Sequence, residues 1–211
     1  MDKTTLVDAI CEREWQMFSQ VQNNGGPASC QQDAQGFKRM RTCQFAAWDT
    51  ATLALYLEDL DRAGAEGRNL PMEKYAWMME RTHPDEFAAL ADDLPPLTQE
   101  QRDIITAIVR VQVDWEAAVD TRFPHVRAGG RPLRSAQDAP GVTSFETYLE
   151  GELKSYSLAT LQSYLAHVQR VEAEGGNLAL DVAEHTARAY GFASLADMEQ
   201  HLADKRSGRA R

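Results

Sequence analysis

Two stretches of the chain repeat one another. Ala51–Leu70, ATLALYLEDLDRAGAEGRNL, and Ala159–Leu178, ATLQSYLAHVQRVEAEGGNL, are identical at 11 of 20 positions at an offset of 108 residues. Unrelated stretches of ordinary composition would share about one. The match continues upstream at the same offset, pairing Phe37 with Phe145, Gln44 with Glu152, Phe45 with Leu153 and Trp48 with Tyr156. Further upstream Glu14-Trp15 falls against Asp114-Trp115, so the second copy holds about eight more residues in its loop. Two copies are fewer than a solenoid needs. The chain is therefore expected to form two tandem halves, 1–96 and 97–205, related by a pseudo-twofold axis and packed as one globular unit. A basic tail, 206–211, is expected to be disordered.

The apolar spacing is helical nearly throughout. Leu6, Ile10, Met17, Phe18 and Val21 mark a helix over about 4–22, ended by Asn23-Asn24-Gly25-Gly26-Pro27. Ser29 with Gln32 reads as a capping box for a second helix carrying Phe37, Met40, Phe45 and Trp48. Asp49 caps a third, which ends near Gly67, and a fourth covers 71–82. After the break at Asp92-Asp93-Leu94-Pro95-Pro96, Thr98 and Gln101 open a helix bearing Ile104, Ile105, Ile108, Val111 and Trp115. Residues 122–142, with three prolines, read as a long loop. Thr143 and Glu146 read as the cap of the next helix, and others follow at about 157–174, 178–190 and 194–204. The expected fold is an all-α bundle of about eight to ten helices.

Composition narrows the class. With 22 basic and 32 acidic side chains the formal charge is −10, which argues against nucleic-acid and acidic-membrane binding. No apolar run is long enough to span a membrane and the N-terminus lacks a signal-peptide core, so a cytoplasmic protein is expected. Cys11, Cys30 and Cys43 form no CxxC and support neither a disulfide framework nor a zinc site. All three read as small core residues; for Cys30 the alternative is an accessible thiol, since it lies beside a glycine-rich loop.

Several polar residues lie within apolar stripes. Glu14 shares a face with Ile10, Met17, Phe18 and Val21, and Gln44 with Phe37, Met40 and Trp48. In the second copy Asp114 borders the Val111–Trp115 stripe, and Glu152 lies between Tyr148, Leu149 and Tyr156. A buried, unpaired carboxylate costs several kcal/mol, so each acid must be paired, protonated or wet. One reading is structural: the groups bridge helices, with Arg41 pairing with Glu14 or Glu152. The other is functional: Glu14, Asp114 and Glu152 line a cleft between the halves and work as general acid and base, burial moving their pKa values apart. Arg41, Gln44, Arg131 and Ser135 would then orient a ligand, and Trp48 and Tyr156 would wall it. A di-iron centre would need two Glu-x-x-His segments, and only Glu80-Arg81-Thr82-His83 is present, so no metal is expected. His125, His167, His185 and His201 show no ligand spacing, and His167 replaces Asp59 of the first copy on what reads as a solvated face.

Two loops have two readings: ordered turns whose arginines bridge to acids of the other half, or sites for an anion. Gly25-Gly26-Pro27-Ala28-Ser29-Cys30 runs into a helix start, and Gly129-Gly130-Arg131-Pro132-Leu133-Arg134-Ser135 adds two cations and a hydroxyl. Neither carries a P-loop or dinucleotide fingerprint.

The run Glu14-Trp15-Gln16-Met17-Phe18, then Asn24-Gly25-Gly26, Ala28-Ser29-Cys30-Gln31 with Asp33, Phe37, Met40-Arg41 and Gln44-Phe45 resembles an uncharacterised bacterial family, domain of unknown function 4125. Gly67-Arg68-Asn69-Leu70 with Glu73-Lys74-Tyr75-Ala76 and Met78-Met79-Glu80 is similar to its next block. Thr143-Ser144, Glu146-Thr147-Tyr148-Leu149 and Gly151-Glu152-Leu153 are similar to a third. The likeness implies a small soluble bacterial protein and brings no activity with it.

Two functions from different classes follow. The first is a small-molecule-binding protein, an enzyme if its inward acids do acid–base chemistry, whose ligand has a polar or anionic part and whose cofactor, if any, is unspecified. The second is a non-catalytic interaction or scaffold protein whose buried polar groups fix helix register.

Overall fold

The computed structural model describes residues 1–22, 26, 29–139 and 141–208. Among them eleven α-helices form and no strand does. The helices are α1 (Lys3–Phe18), α2 (Ala34–Ala46), α3 (Thr50–Ala65), α4 (Leu70–Thr82), α5 (Pro84–Ala88), α6 (Gln99–Arg122), α7 (Pro124–Arg127), α8 (Phe145–Leu153), α9 (Leu158–Ala173), α10 (Leu178–Ala189) and α11 (Leu195–Arg206). No helix of the described residues is long and apolar enough to cross a membrane.

Side-chain caps set the starts. Asp2, Asp49, Asn69, Ser157, Asn177 and Ser194 each accept a backbone N–H from the first turn of the helix that follows. Thr98 and Gln101 complete the expected reciprocal capping box. Two caps differ from expectation. Asp33, not Ser29, caps α2 through the Gly36 N–H, and Ser144, not Thr143, caps α8 through the Thr147 N–H. The shorter α5 and α7 were not expected; each begins at a proline, whose fixed φ suits a first turn. Residues 122–142 are thus not one loop, since α6 runs to Arg122 and α7 follows at once. The first helix stops at Phe18, short of the expected 22. The expected break at Asn23–Pro27 lies outside the described residues except for Gly26. Of the expected tail, Arg206 belongs to α11, and 209–211 lie outside the described residues.

The repeated sequences fold alike. α3 and α9 have the same length, and each ends on a glycine in the left-handed region, Gly67 (φ 72°) and Gly175 (φ 73°). That conformation costs glycine little and other residues more. The Arg68 N–H then returns to the Ala63 carbonyl, and the Gly176 N–H to that of Val171, at 2.8 Å each. Asn69 and Asn177 each do two jobs: besides capping their own helices, their Nδ2 groups donate to the carbonyls of Met17 (2.8 Å) and Trp115 (3.3 Å).

Packing follows a matching scheme. α1 packs on α2, α3 and α4, and α6 on α8, α9 and α10. Three further contacts join these groups: α3 with α9, α2 with α10, and α4 with α8. One apolar core runs through both, from Ile10, Phe45, Leu53 and Leu60 to Ile108, Val113, Leu153 and Leu161. Asp59 and His167, expected on a solvated face, are buried where α3 crosses α9. Asp59 accepts from the Ser157 N–H (2.9 Å) and the Thr160 hydroxyl (2.6 Å) at the start of α9. His167 meets the Ala47 carbonyl at 3.0 Å and Asp49 at 3.4 Å, at the start of α3.

Each bifunctional asparagine satisfies a helix N-terminus and a buried carbonyl. Asn69→Ala and Asn177→Ala are each expected to lower unfolding free energy by about 1–2 kcal/mol, read as a shifted urea midpoint at unchanged slope.

Candidate functional site

Glu14 of α1, Arg41 and Gln44 of α2, Tyr56 of α3, Lys74 of α4 and Glu152 of α8 converge on one buried point. The sequence places them there because each occupies an inward position of an otherwise apolar stripe. Gly151 makes the last step feasible. A Cβ on it would lie 2.8 Å from Met78 Cγ and 2.9 Å from the Lys74 carbonyl oxygen, so only glycine lets α8 close on α4.

Arg41 is the hub. Its Nε and Nη2 grip the two oxygens of Glu14 at 2.6 and 2.5 Å, a bidentate fork. Nη2 also reaches Glu152 Oε1 at 3.0 Å, and Nη1 reaches Gln44 Oε1 at 2.7 Å and Glu152 Oε2 at 3.5 Å. A guanidinium has five N–H donors, and all five are engaged. The Tyr56 hydroxyl donates to Glu14 at 2.7 Å. Glu152 also accepts from the Tyr156 hydroxyl (2.9 Å), Gln44 Nε2 (3.3 Å) and Lys74 Nζ (3.4 Å). Lys74 in turn donates to the Tyr148 hydroxyl at 2.6 Å.

Two acids and two bases leave the cluster neutral, and the pairing fixes protonation. Burial alone would raise the Glu152 pKa, but Arg41 and Lys74, with hydrogen bonds from Arg41 and Tyr156, carry it well below the ordinary carboxylate range. Burial works against the charged form of Lys74, but Tyr148 and Glu152 outweigh it and raise its pKa. Burial and the adjacent Glu14 push the Tyr56 hydroxyl well above its ordinary value. Near neutral pH, Glu152 is therefore ionised, Lys74 protonated and Tyr56 neutral.

The cluster is open on one side. A cavity of about 370 Å³ has Glu14, Arg41, Lys74 and Glu152 in its floor and Phe18, Phe37, Tyr75 and Tyr148 in its walls. Met40, Tyr190, Cys30, Asp33 and Arg131 also line it. Met40 and Tyr190 are both exposed, with 59% and 53% of their surface open. Phe18 and Phe37 stack with ring centroids 4.9 Å apart. Residues from both 1–96 and 97–205 contribute.

The expected site residues separate into two groups. Glu14, Arg41, Gln44, Glu152 and Tyr156 come together, and Arg41 bridges both acids. Arg131 reaches the same cavity. Asp114 does not: it is exposed and pairs with Arg134 at 3.1 Å. Ser135 is tied by its backbone N–H to Glu146 at 2.7 Å and is not among the lining residues. Trp48 and Tyr156 are core rather than cavity wall. Trp48 stacks on Tyr164 at 4.3 Å, and the Tyr156 ring lies 4.6 Å from that of Tyr56. Of the glycine-rich segment 25–30, Cys30 is exposed and reaches the cavity, while 25, 27 and 28 lie outside the described residues.

The residue missed was Lys74. It interrupts the stripe of Leu70, Trp77 and Met78 as Glu14 interrupts its own, and the same argument applied to α4 would have found it. Tyr56, Tyr75 and Tyr148 carried no comparable signal, because tyrosine within an apolar stripe is ordinary core. Among the described residues no group of three or more His, Cys, Asp or Glu side chains is placed to hold a metal ion.

An all-α protein with one neutral ion cluster opening into an aromatic-walled cavity is the class this geometry defines. The family model described as "Protein of unknown function (DUF4125)" matches residues 4–200, and the chain belongs to that family. No curated protein and no solved structure matches it.

Glu152 sets a pH dependence. A carboxyl whose pKa is lowered by folding contributes fully above its ordinary value of 4.5, and that contribution is lost as pH falls towards the folded value. Glu152→Gln is expected to cost about 3 kcal/mol or more at pH 7, since it leaves a surplus buried cation. It is also expected to flatten the loss of stability below pH 4.5 by up to about 1.4 kcal/mol per pH unit. Urea unfolding of both proteins from pH 7 to 3 checks this.

Proposed function

We propose that this chain is a small-molecule-binding protein whose ligand occupies the aromatic-walled cavity, with the ion cluster as a rigid floor. The observation that carries the reading is that a nearly fully desolvated four-ion network faces a cavity instead of being sealed in the core. Buried ion pairs are seldom the most stable filling for a core, whereas an apolar pocket with a few fixed polar groups is the usual form of a ligand site.

The geometry favours binding over acid–base catalysis. A general acid or base works best with a pKa near the working pH. Glu152 is held far below it and Lys74 above it, and Arg41 has no donor left for a substrate. Asp114 has no part in the reading. The scaffold alternative has less support, because the exposed Met40 and Tyr190 belong to this same cavity.

We further infer that the two groups of helices are duplicated halves about a pseudo-twofold axis. Exchanging α1, α2, α3 and α4 for α6, α8, α9 and α10 reproduces the packing scheme, including the contacts of α2 with α10 and of α4 with α8. The reciprocal placements of Asp59 and His167 support this. On this reading the site exists once. At offset 108 Arg41 and Lys74 correspond to Leu149 and Val182. The partner of Glu14 is Gln112, whose Nε2 donates to the Tyr164 hydroxyl at 2.7 Å as Glu14 accepts from Tyr56.

The test is mass spectrometry of intact, undenatured protein purified from its source cells, followed by extraction of whatever it carries. A stoichiometric small molecule is expected, lost in Met40→Trp, which narrows the mouth without entering the core. An empty protein that shows no thermal shift with any member of a metabolite library would overturn the reading.

A further inference from the structure

We infer that the ligand is an organic monoanion, a carboxylate on a planar apolar body, whose carboxylate sits between Arg131 and Lys74 beside Tyr148; this rests on the ligand-cavity reading above. Unspent hydrogen-bonding capacity in the cavity points to it. On the floor, Glu14 and Glu152 are each held by several donors, and Arg41 has spent all five N–H groups. An incoming cation or neutral donor would have to compete with Arg41 for the same carboxylate oxygens.

Next to that floor the unspent charged groups are donors; the third lining carboxylate, Asp33, is exposed and caps α2 through the Gly36 N–H. Lys74 has three N–H and uses two, on Tyr148 and Glu152. Arg131 uses one N–H, on the Thr143 carbonyl at 3.1 Å, and among the described residues it pairs with no carboxylate. The two cations converge on one ring: Lys74 Nζ lies 4.1 Å and Arg131 Cζ 4.6 Å from the Tyr148 centroid. A carboxylate placed there accepts from both, and the Arg131 fork suits it in shape.

Charge and shape narrow the class further. The ionic lining residues, Glu14, Asp33 and Glu152 against Arg41, Lys74 and Arg131, sum to zero formal charge, so there is no surplus of cations to balance the two charges of a phosphate monoester. The rest of the anion lies against the Phe18–Phe37 stack and Tyr75, surfaces that reward a flat apolar body.

The experiment is titration calorimetry of the full chain with three isosteric probes: 2-naphthoate, its neutral carboxamide and the cationic 2-naphthylmethylamine. The naphthoate is expected to bind at least tenfold more tightly than the amide, with the advantage shrinking as salt is raised. Arg131→Gln, a change at an exposed side chain, should bring naphthoate down to the affinity of the amide and leave the amide unchanged; Arg131→Lys should restore part of the gap. Location is read from Cys30, the exposed cysteine, whereas Cys11 and Cys43 are buried. Bound naphthoate should slow its alkylation at least fivefold. Equal or tighter binding of the amide or the amine, indifference to Arg131→Gln, or no binding of any probe overturns the inference. If the amide or amine wins and still protects Cys30, the cavity reading survives and only the anion assignment fails. If no probe protects Cys30 and the purified protein is also empty, both fail.

Discussion

The site depends on the desolvated fork between Arg41 and Glu14. A guanidinium at the centre of five helices is tolerable only if every N–H finds an acceptor and its charge is matched. Glu14 supplies half of this. Glu152, more than a hundred residues further along, supplies most of the rest, with Gln44 taking one remaining donor. Two acids against one guanidinium leave a surplus negative charge, which Lys74 answers from α4 where α4 packs on α8. Gly151 is the steric counterpart of that electrostatic demand. The floor of the cavity is thus a consequence of neutralising one arginine.

Much of the fold was legible because its signals are local. Asp49, Thr98 with Gln101, and the stop at Gly67 act within a few residues of themselves, and helix positions followed from them. Glu14, Arg41 and Glu152 were legible for a different reason: a charge in an apolar stripe has to be answered by another, and few were available. What failed depended on register or on remote contacts. Asp114 was matched to Glu14 through the neighbouring tryptophans. The Asn69 and Asn177 bonds, on Met17 and Trp115, instead align Glu14 with Gln112 under the proposed duplication. A two-residue slip on an α-helix turns a side chain through about 200°, enough to carry it from core to solvent. Asp59 and His167 looked solvated because their own helix gave no reason for burial; the reason lies on the crossing helix. Trp48 and Tyr156 flank the acids in sequence, yet both are buried among aromatic rings of the core and neither lines the cavity.

Under the proposed duplication the two halves have taken different paths. The position of Arg41 became Leu149, that of Lys74 became Val182, and the acid of α1 faces the amide of Gln112. One side of the axis is a neutral core in which Gln112 donates to Tyr164, and the other a charged floor beneath an open cavity. Such a division suits a binder built from a stable frame: the second half supplies the acid Glu152 and the lining residues Arg131, Tyr148, Ser155 and Tyr190, and the first supplies the two cations that hold the acid ionised.

The most direct test of this account is the coupling between Arg41 and Glu152, measured as a double-mutant cycle on unfolding free energy with Arg41→Met, Glu152→Gln and the pair. If the two charges share a desolvated network, the cycle should return a favourable coupling of about 1.5–3 kcal/mol that changes little with salt. A coupling near zero, or one abolished by moderate salt, would mean that the pair is solvated and that the cavity has no ionic floor.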